Sequence, residues 1–118
     1  MVVRIKRVYD PPDPSDGHRV LVDRLWPRGL GKENAKLDEW RPDLSPTHIL
    51  RKWFGHDPAK WDEFRVRYRN ELDAAGKMDD LRLMKERAGR RTLTLLHAAK
   101  DRGRNNAVAL REILRGIP

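Results

Sequence analysis

Three consecutive apolar residues, Val20-Leu21-Val22, run directly into Asp23-Arg24, and the segment after them holds Pro27, Gly29 and Gly31. An apolar run without alternation belongs in a strand covered on both faces. The proline and the glycines forbid a helix directly after it. A strand that stops in charged residues and a glycine-bearing loop is where open α/β sheets place their ligands. The stretch from Arg19 to Lys32 therefore sets the expectation for the rest of the chain.

A second run of the same kind, Thr92-Leu93-Thr94-Leu95-Leu96, opens into His97-Ala98-Ala99-Lys100-Asp101. Val2 to Tyr9 predicts a first strand near a sheet edge, because Val3 and Ile5 alternate with Arg4 and Lys6. Asp10 to Gly17 reads as a loop. The second strand spans Arg19 to about Leu25. Gly29 to Asn34 follows as loop or short helix, and Ala35 to Trp40 as a short third strand. The spacing of Leu37 and Trp40 fits a helical turn equally well.

Helices fill the intervals. Ser45-Pro46 offers a hydroxyl cap and a first-turn proline, Ile49, Leu50, Trp53 and Phe54 form the apolar stripe, and Gly55 stops the helix. Asp57-Pro58 repeats the start signal, and Trp61, Phe64, Tyr68 and Leu72 share one face up to Gly76. Glu63–Arg67 and Arg67–Glu71 are expected i,i+4 pairs on the wet side. Asp79 or Asp80 caps a helix carrying Leu81, Met84 and Ala88. Asn105 or Asn106 caps the last one, with Ala107, Leu110, Ile113 and Leu114 inward. Strands alternating with helices predict one α/β domain over residues 1–118. It is three-layer-like, with a mostly parallel sheet of about four strands and flanking helices.

Cysteine is absent, which excludes disulfides, thiolate catalysis and cysteine-ligated metals. The four histidines lack the close pairing of a zinc motif, so neither metal nor cofactor is expected. No apolar run approaches the about 20 residues that span a bilayer, and the first residues lack a signal peptide's apolar core. The expectation is a cytoplasmic protein without a membrane partner; the sequence leaves the oligomeric state open. Lys and Arg number 26 against 18 Asp and Glu, a net charge of +8. Such an excess favours anionic partners, although an arginine-rich solvated surface has the same composition.

If the Val20 and Leu93 strands are parallel neighbours, their carboxyl ends meet on one edge of the sheet. Asp23, Arg24, Arg28 and Gly29 then gather beside His97, Lys100, Asp101, Asn105 and Asn106, with the last helix aiming its N-terminus into the crevice. Helix N-termini and arginine forks both favour a phosphate or carboxylate there. The glycine spacing matches no Walker or Rossmann pattern. In the catalytic version of this reading Arg24 and Arg28 hold the anion, Asp23 orients them, and His97 or Asp101 moves a proton. In the structural version an Asp23–Arg24 network only fixes strand ends, and His97 is a satisfied strand-end histidine. Trp26 is either a pocket wall or a loop anchor; Trp53-Phe54 reads as core whose edge can border the pocket. His18 and His48 read as surface residues, and His56 as a loop stiffener. The two serines stand in turn-like contexts, which argues against serine nucleophile chemistry.

The runs Val-Leu-Val-Asp-Arg-Leu-Trp-Pro-Arg-Gly (20–29), Leu-Arg-Lys-Trp-Phe-Gly-His-Asp-Pro (50–58), Trp-Asp-Glu-Phe-Arg-Val-Arg-Tyr (61–68) and Thr-Leu-Leu-His-Ala-Ala-Lys-Asp (94–101) resemble the YeaO-like family, a domain of unknown function. The likeness covers nearly the whole chain. It implies a small bacterial α/β domain and no particular activity. The family usually carries an aromatic residue where this chain has His97. It carries a His-Asn-His-like run where this chain has Arg104-Asn105-Asn106, and more distant branches place cysteines at or near His97 and Asn105. The Asn105 amide alone keeps the nearer family's character.

Two functions follow as expectations. The first is a pocket for a small phosphorylated or nucleotide-like anion, with or without hydrolase or transferase activity. The second is a nucleic-acid-binding or regulatory module using Arg82, Lys85, Arg87, Arg90, Arg91, Arg111 and Arg115.

Overall fold

In the computed structural model, which describes residues 1–118, the two non-alternating apolar runs lie side by side. Strand β2 (His18–Leu21) pairs in parallel with β4 (Thr92–His97), Val20 opposite Leu95 and Leu21 opposite Leu96. Strand β1 (Val2–Arg7) pairs in parallel with the far side of β4, and β3 (Glu39–Trp40) with the far side of β2. The order is β1-β4-β2-β3. All four strands are parallel, and β1 stands at an edge as its alternation requires.

The faces of the sheet are covered unequally. Val3, Val20, Val22, Leu93 and Leu95 belong to the large core, which they share with the helices. Leu50 and Phe54 come from α2 (His48–Phe54), and Phe64, Tyr68 and Leu72 from α3 (Trp61–Ala74). Leu81 and Met84 come from α4 (Met78–Ala88), and Leu110, Ile113 and Leu114 from α5 (Asn106–Arg115). On the opposite face Val8, Leu21 and Leu96 meet Trp26, Leu30 and Leu37. That third layer is thin, made of connecting chain and the short helix α1 (Lys32–Ala35). No helix is long and apolar enough to cross a membrane.

Several boundaries differ from the sequence expectation. Strand β2 stops at Leu21, although the Val22 N–H still donates to the Leu96 carbonyl at 3.1 Å. Ser45 ends a 3-10 turn, donating to the Pro42 carbonyl at 2.5 Å, and Thr47 caps α2 instead. Both are hydroxyl residues beside Pro46. The contact that singles out Thr47 is Glu71, whose carboxylate accepts from the Thr47 N–H at 3.0 Å and from its hydroxyl at 2.5 Å. Glu71 therefore does not pair with Arg67, whereas Glu63 does, at 3.3 Å. Helix α4 starts at Met78, with Asp79 and Asp80 inside its first turn and not capping it.

A buried ion cluster fastens the thin layer. Arg19, 5% exposed, donates to the Asp16 carboxylate at 2.5 Å and to the Ala35 and Lys36 carbonyls at 2.9 and 3.0 Å. Lys6 Nζ reaches both Asp16 oxygens at 3.0 Å, and Thr94 donates to the Asp16 carbonyl. Burial works against the Asp16 carboxylate. The hydrogen bonds from Lys6, Asp13 and Arg19 outweigh it and hold Asp16 below the usual carboxylate range. Removing one partner of a buried pair leaves an uncompensated charge, which is strongly destabilising. Arg19→Leu is expected to lower unfolding free energy by about 3 kcal/mol, read as a drop in the urea midpoint at constant slope.

Candidate functional site

Beyond Leu96 the two central strands diverge, and side chains take over from the backbone ladder. The Asp23 carboxylate accepts from the Ala98 N–H at 2.8 Å through Oδ2 and from Asn106 Nδ2 at 3.1 Å through Oδ1. Asn106 Nδ2 also donates to the Val22 carbonyl at 2.7 Å. Asn105 caps α5, its Oδ1 accepting from the Val108 N–H at 3.0 Å, while its Nδ2 donates to the Asp101 carbonyl at 2.9 Å. These bonds tie the ends of β2 and β4 to the start of α5, as the sequence argument required.

Above this floor opens a cavity of about 680 Å³, within the size range of small-molecule sites. Asp23, Asn105, Asn106, Ala98 and Ala99 form its base, and Arg104 lies in its wall. Helix α2 supplies His48, Arg51, Lys52 and Phe54; His56, Phe64, Leu25 and Pro46 complete the lining. The Phe54 and Phe64 rings stack at 4.4 Å, and His56 leans on Phe54 at 6.2 Å. Arg51 and Lys52 are exposed and have no carboxylate within ion-pair distance. Arg104 has only a long contact, 3.6 Å, to Asp101. Asp23 is the only carboxylate in the lining. Burial pushes its carboxyl above the usual range, against the hydrogen bonds from Ala98 and Asn106 and the nearby charge of Arg51.

Of the residues expected at the site, the structure brings Asp23, Asn105 and Asn106 into the cavity. Arg24 lies outside it, exposed, donating to the Pro46 carbonyl at 3.2 Å. Arg28, Gly29 and Lys100 are exposed on the loops around it. Trp26 packs away from the cavity, edge-on to Trp40 at 5.4 Å, with its indole N–H on the Leu30 carbonyl at 2.7 Å. Asp101 organises its own loop: its carboxylate accepts from the Gly103 and Arg104 N–H groups, which lowers its pKa.

His97 is fully buried, 0% exposed, with Nε2 3.3 Å from Asn105 Nδ2 and Nδ1 without a partner. Since the Asn105 amide donates, His97 Nε2 accepts and the ring proton sits on Nδ1. Burial, then the charges of Arg7 and Arg102, push the His97 pKa down to about 4. His97 is therefore a neutral core imidazole and is absent from the cavity lining.

Sequence reasoning missed Arg51, Lys52 and His48 as site residues. Their signal is present: positions 48, 51 and 52 form a cationic stripe at helical spacing, opposite the stripe of Leu50 and Phe54. Part of the proposed nucleic-acid face is engaged by the fold, while Arg87, Arg90 and Arg115 stay exposed without a side-chain partner. Lys85 donates to the Leu114 and Ile117 carbonyls, Arg82 pairs with Asp79 at 2.8 Å, and Arg91 donates to the Arg87 carbonyl. No three His, Asp or Glu side chains converge as metal ligands would.

Residues 2–116 match a family model described as the inactive DUF488-N3 subclade. The chain is 43% identical over 117 residues to the uncharacterized protein YeaO of Escherichia coli, covering 99% of this chain and 100% of that protein. It is 40% identical over 114 residues to uncharacterized proteins of Mycobacterium tuberculosis and Mycobacterium bovis, covering 97% of this chain and 94% of each of theirs. No solved structure matches the chain.

Between pH about 6.5 and 4 the unfolded chain protonates His97 and the folded chain does not. The unfolded state binds the extra proton, so stability is present above that window and is lost as pH falls through it. The expected loss is roughly 3 kcal/mol, partly offset by Asp23, whose raised pKa acts in the opposite sense. Urea titrations from pH 7 to 4 measure it, and His97→Leu flattens the curve over that range.

Proposed function

This chain belongs to the DUF488 family, and from that premise we propose that its cavity binds a small phosphorylated or nucleotide-like anion without turning it over. One observation carries the reading. Arg51, Lys52 and Arg104 converge on a single cavity with their charges largely unspent, while the only carboxylate there has both oxygens occupied. The field inside is positive, and guanidinium forks suit phosphate oxygens. Asn105 and Asn106 place the N-terminus of α5 at the base, which adds favourable partial charge. The stacked Phe54 and Phe64 rings give the ligand's carbon skeleton or base an apolar wall.

Binding is favoured over catalysis on three grounds. Asp23 is locked by two donors, His97 is sealed in the core, and Asp101 is used by its loop. His48 and His56 border the cavity but receive no hydrogen bond to orient them, as a working general base requires. The matching subclade is itself described as inactive. The hydrolase or transferase version finds no supporting geometry.

Calorimetric titration of the purified protein with pyrophosphate and with AMP tests the proposal. Saturable binding is expected for at least one of them. Arg51→Ala is expected to weaken it about tenfold, the value of one charge-assisted hydrogen bond, with cooperative melting retained because Arg51 is exposed. Absence of heat with both ligands, or equal affinity in Arg51→Ala, overturns it.

A further inference from the structure

We infer that the cavity is the inner end of a longer surface for single-stranded nucleic acid, with one nucleotide held inside and the adjoining phosphates on the rim. The inference rests on the cavity being an anion site.

Three neighbouring strands end at this side of the sheet, and the loop after each one carries cations. Strand β1 ends in Arg7, followed by Tyr9; the loop after β2 holds Arg24 and Arg28; the loop after β4 holds Lys100, Arg102 and Arg104. Arg24 adjoins Asp23 and Leu25, and Lys100 adjoins Ala99, all in the cavity lining. One residue step is about 3.8 Å, so the backbones of Arg24 and Lys100 lie that close to cavity-lining residues. Each carboxylate of the same loops already has hydrogen-bond partners. Arg102 holds Asp10 bidentately at 2.8 and 2.9 Å, Asp101 accepts from its own loop, and Asp23 lies in the floor. Arg28 and Lys100 are exposed with no carboxylate within ion-pair distance, and Arg24, which donates to the Pro46 carbonyl at 3.2 Å, has none either.

An aromatic side chain is fixed among them. Tyr9 is 41% exposed; its hydroxyl donates to the Arg28 carbonyl at 2.8 Å, and the Arg7 guanidinium stands 5.1 Å over its ring. A single phosphorylated metabolite inside the cavity would leave this outer row of charge and the open Tyr9 ring unused. A strand of nucleotides uses both, because such strands are held by cations that track phosphates and by aromatic rings on which bases stack. The cations at the strand ends stand out because a fixed, half-exposed aromatic ring lies among them.

The test compares AMP with ten-nucleotide single strands of RNA and of DNA, each 5′-phosphorylated and 3′-labelled, by fluorescence anisotropy and competition over a salt series. The strands are expected to bind at least about tenfold tighter than AMP. Their log K is expected to fall more steeply with log salt, by about 2 for three further phosphates. Arg28→Ala combined with Lys100→Ala, with folding checked by melting temperature, is expected to bring the strand down to the affinity of AMP. A preference for RNA or DNA within these outcomes identifies which strand chemistry is read. Equal affinity for strand and AMP, an unchanged double variant, or a duplex bound as tightly as the single strand overturns the inference and leaves the anion site standing. Failure of AMP and strands alike overturns both.

Discussion

The site depends on one carboxylate. Where β2 and β4 part, the Asp23 side chain accepts the N–H of Ala98, a bond a backbone carbonyl would have taken had the strands continued together. Its second oxygen and the Val22 carbonyl share the Asn106 amide. A single desolvated group thus closes the ladder, holds the first turn of α5 and makes the floor of the crevice. Burial raises the pKa of this carboxyl, and the two donors and the charge of Arg51 oppose that rise. The structural and functional readings of Asp23 are therefore one. By fixing the strand ends it builds the cavity.

The remaining charge is partitioned by depth. On the thin side of the sheet Asp16 bridges Arg19 and Lys6 beneath α1 and the 11–16 loop, and that cluster adds to the small apolar cluster in fastening the layer. At the carboxyl ends of the strands the acids are satisfied inside and the bases are left outside. A net charge of +8 alone says little. Its distribution says more: Arg82 is paired with the Asp79 carboxylate, whereas Arg28 and Lys100 are exposed with no carboxylate within ion-pair distance.

Much of this was readable from the chain. Two apolar runs without alternation implied a covered parallel sheet, and their adjacency implied a crevice at their ends. Asn105 as a cap and Gly55 as a stop follow from local chemistry. The fate of His97 was also within reach: with Leu93 and Leu95 facing the helices, a residue two further on shares their face. What local rules could not supply was tertiary choice. Ser45 and Thr47 are equivalent as caps until Glu71 arrives from a helix 24 residues away. Arg24 and Arg28 stand outside the cavity because the chain bends around Trp26, which is anchored by Leu30 and Trp40.

The strand order has a consequence for synthesis. Strand β4 is the last strand in the chain, yet it stands between β1 and β2. Neither earlier strand has its central neighbour until residues 92–97 have left the ribosome. The growing polypeptide must therefore keep the apolar faces of Val3, Val20 and Val22 from wrong partners over most of its length. Completion of the sheet therefore waits for β4, the delayed closure that makes non-local parallel topologies slow to fold.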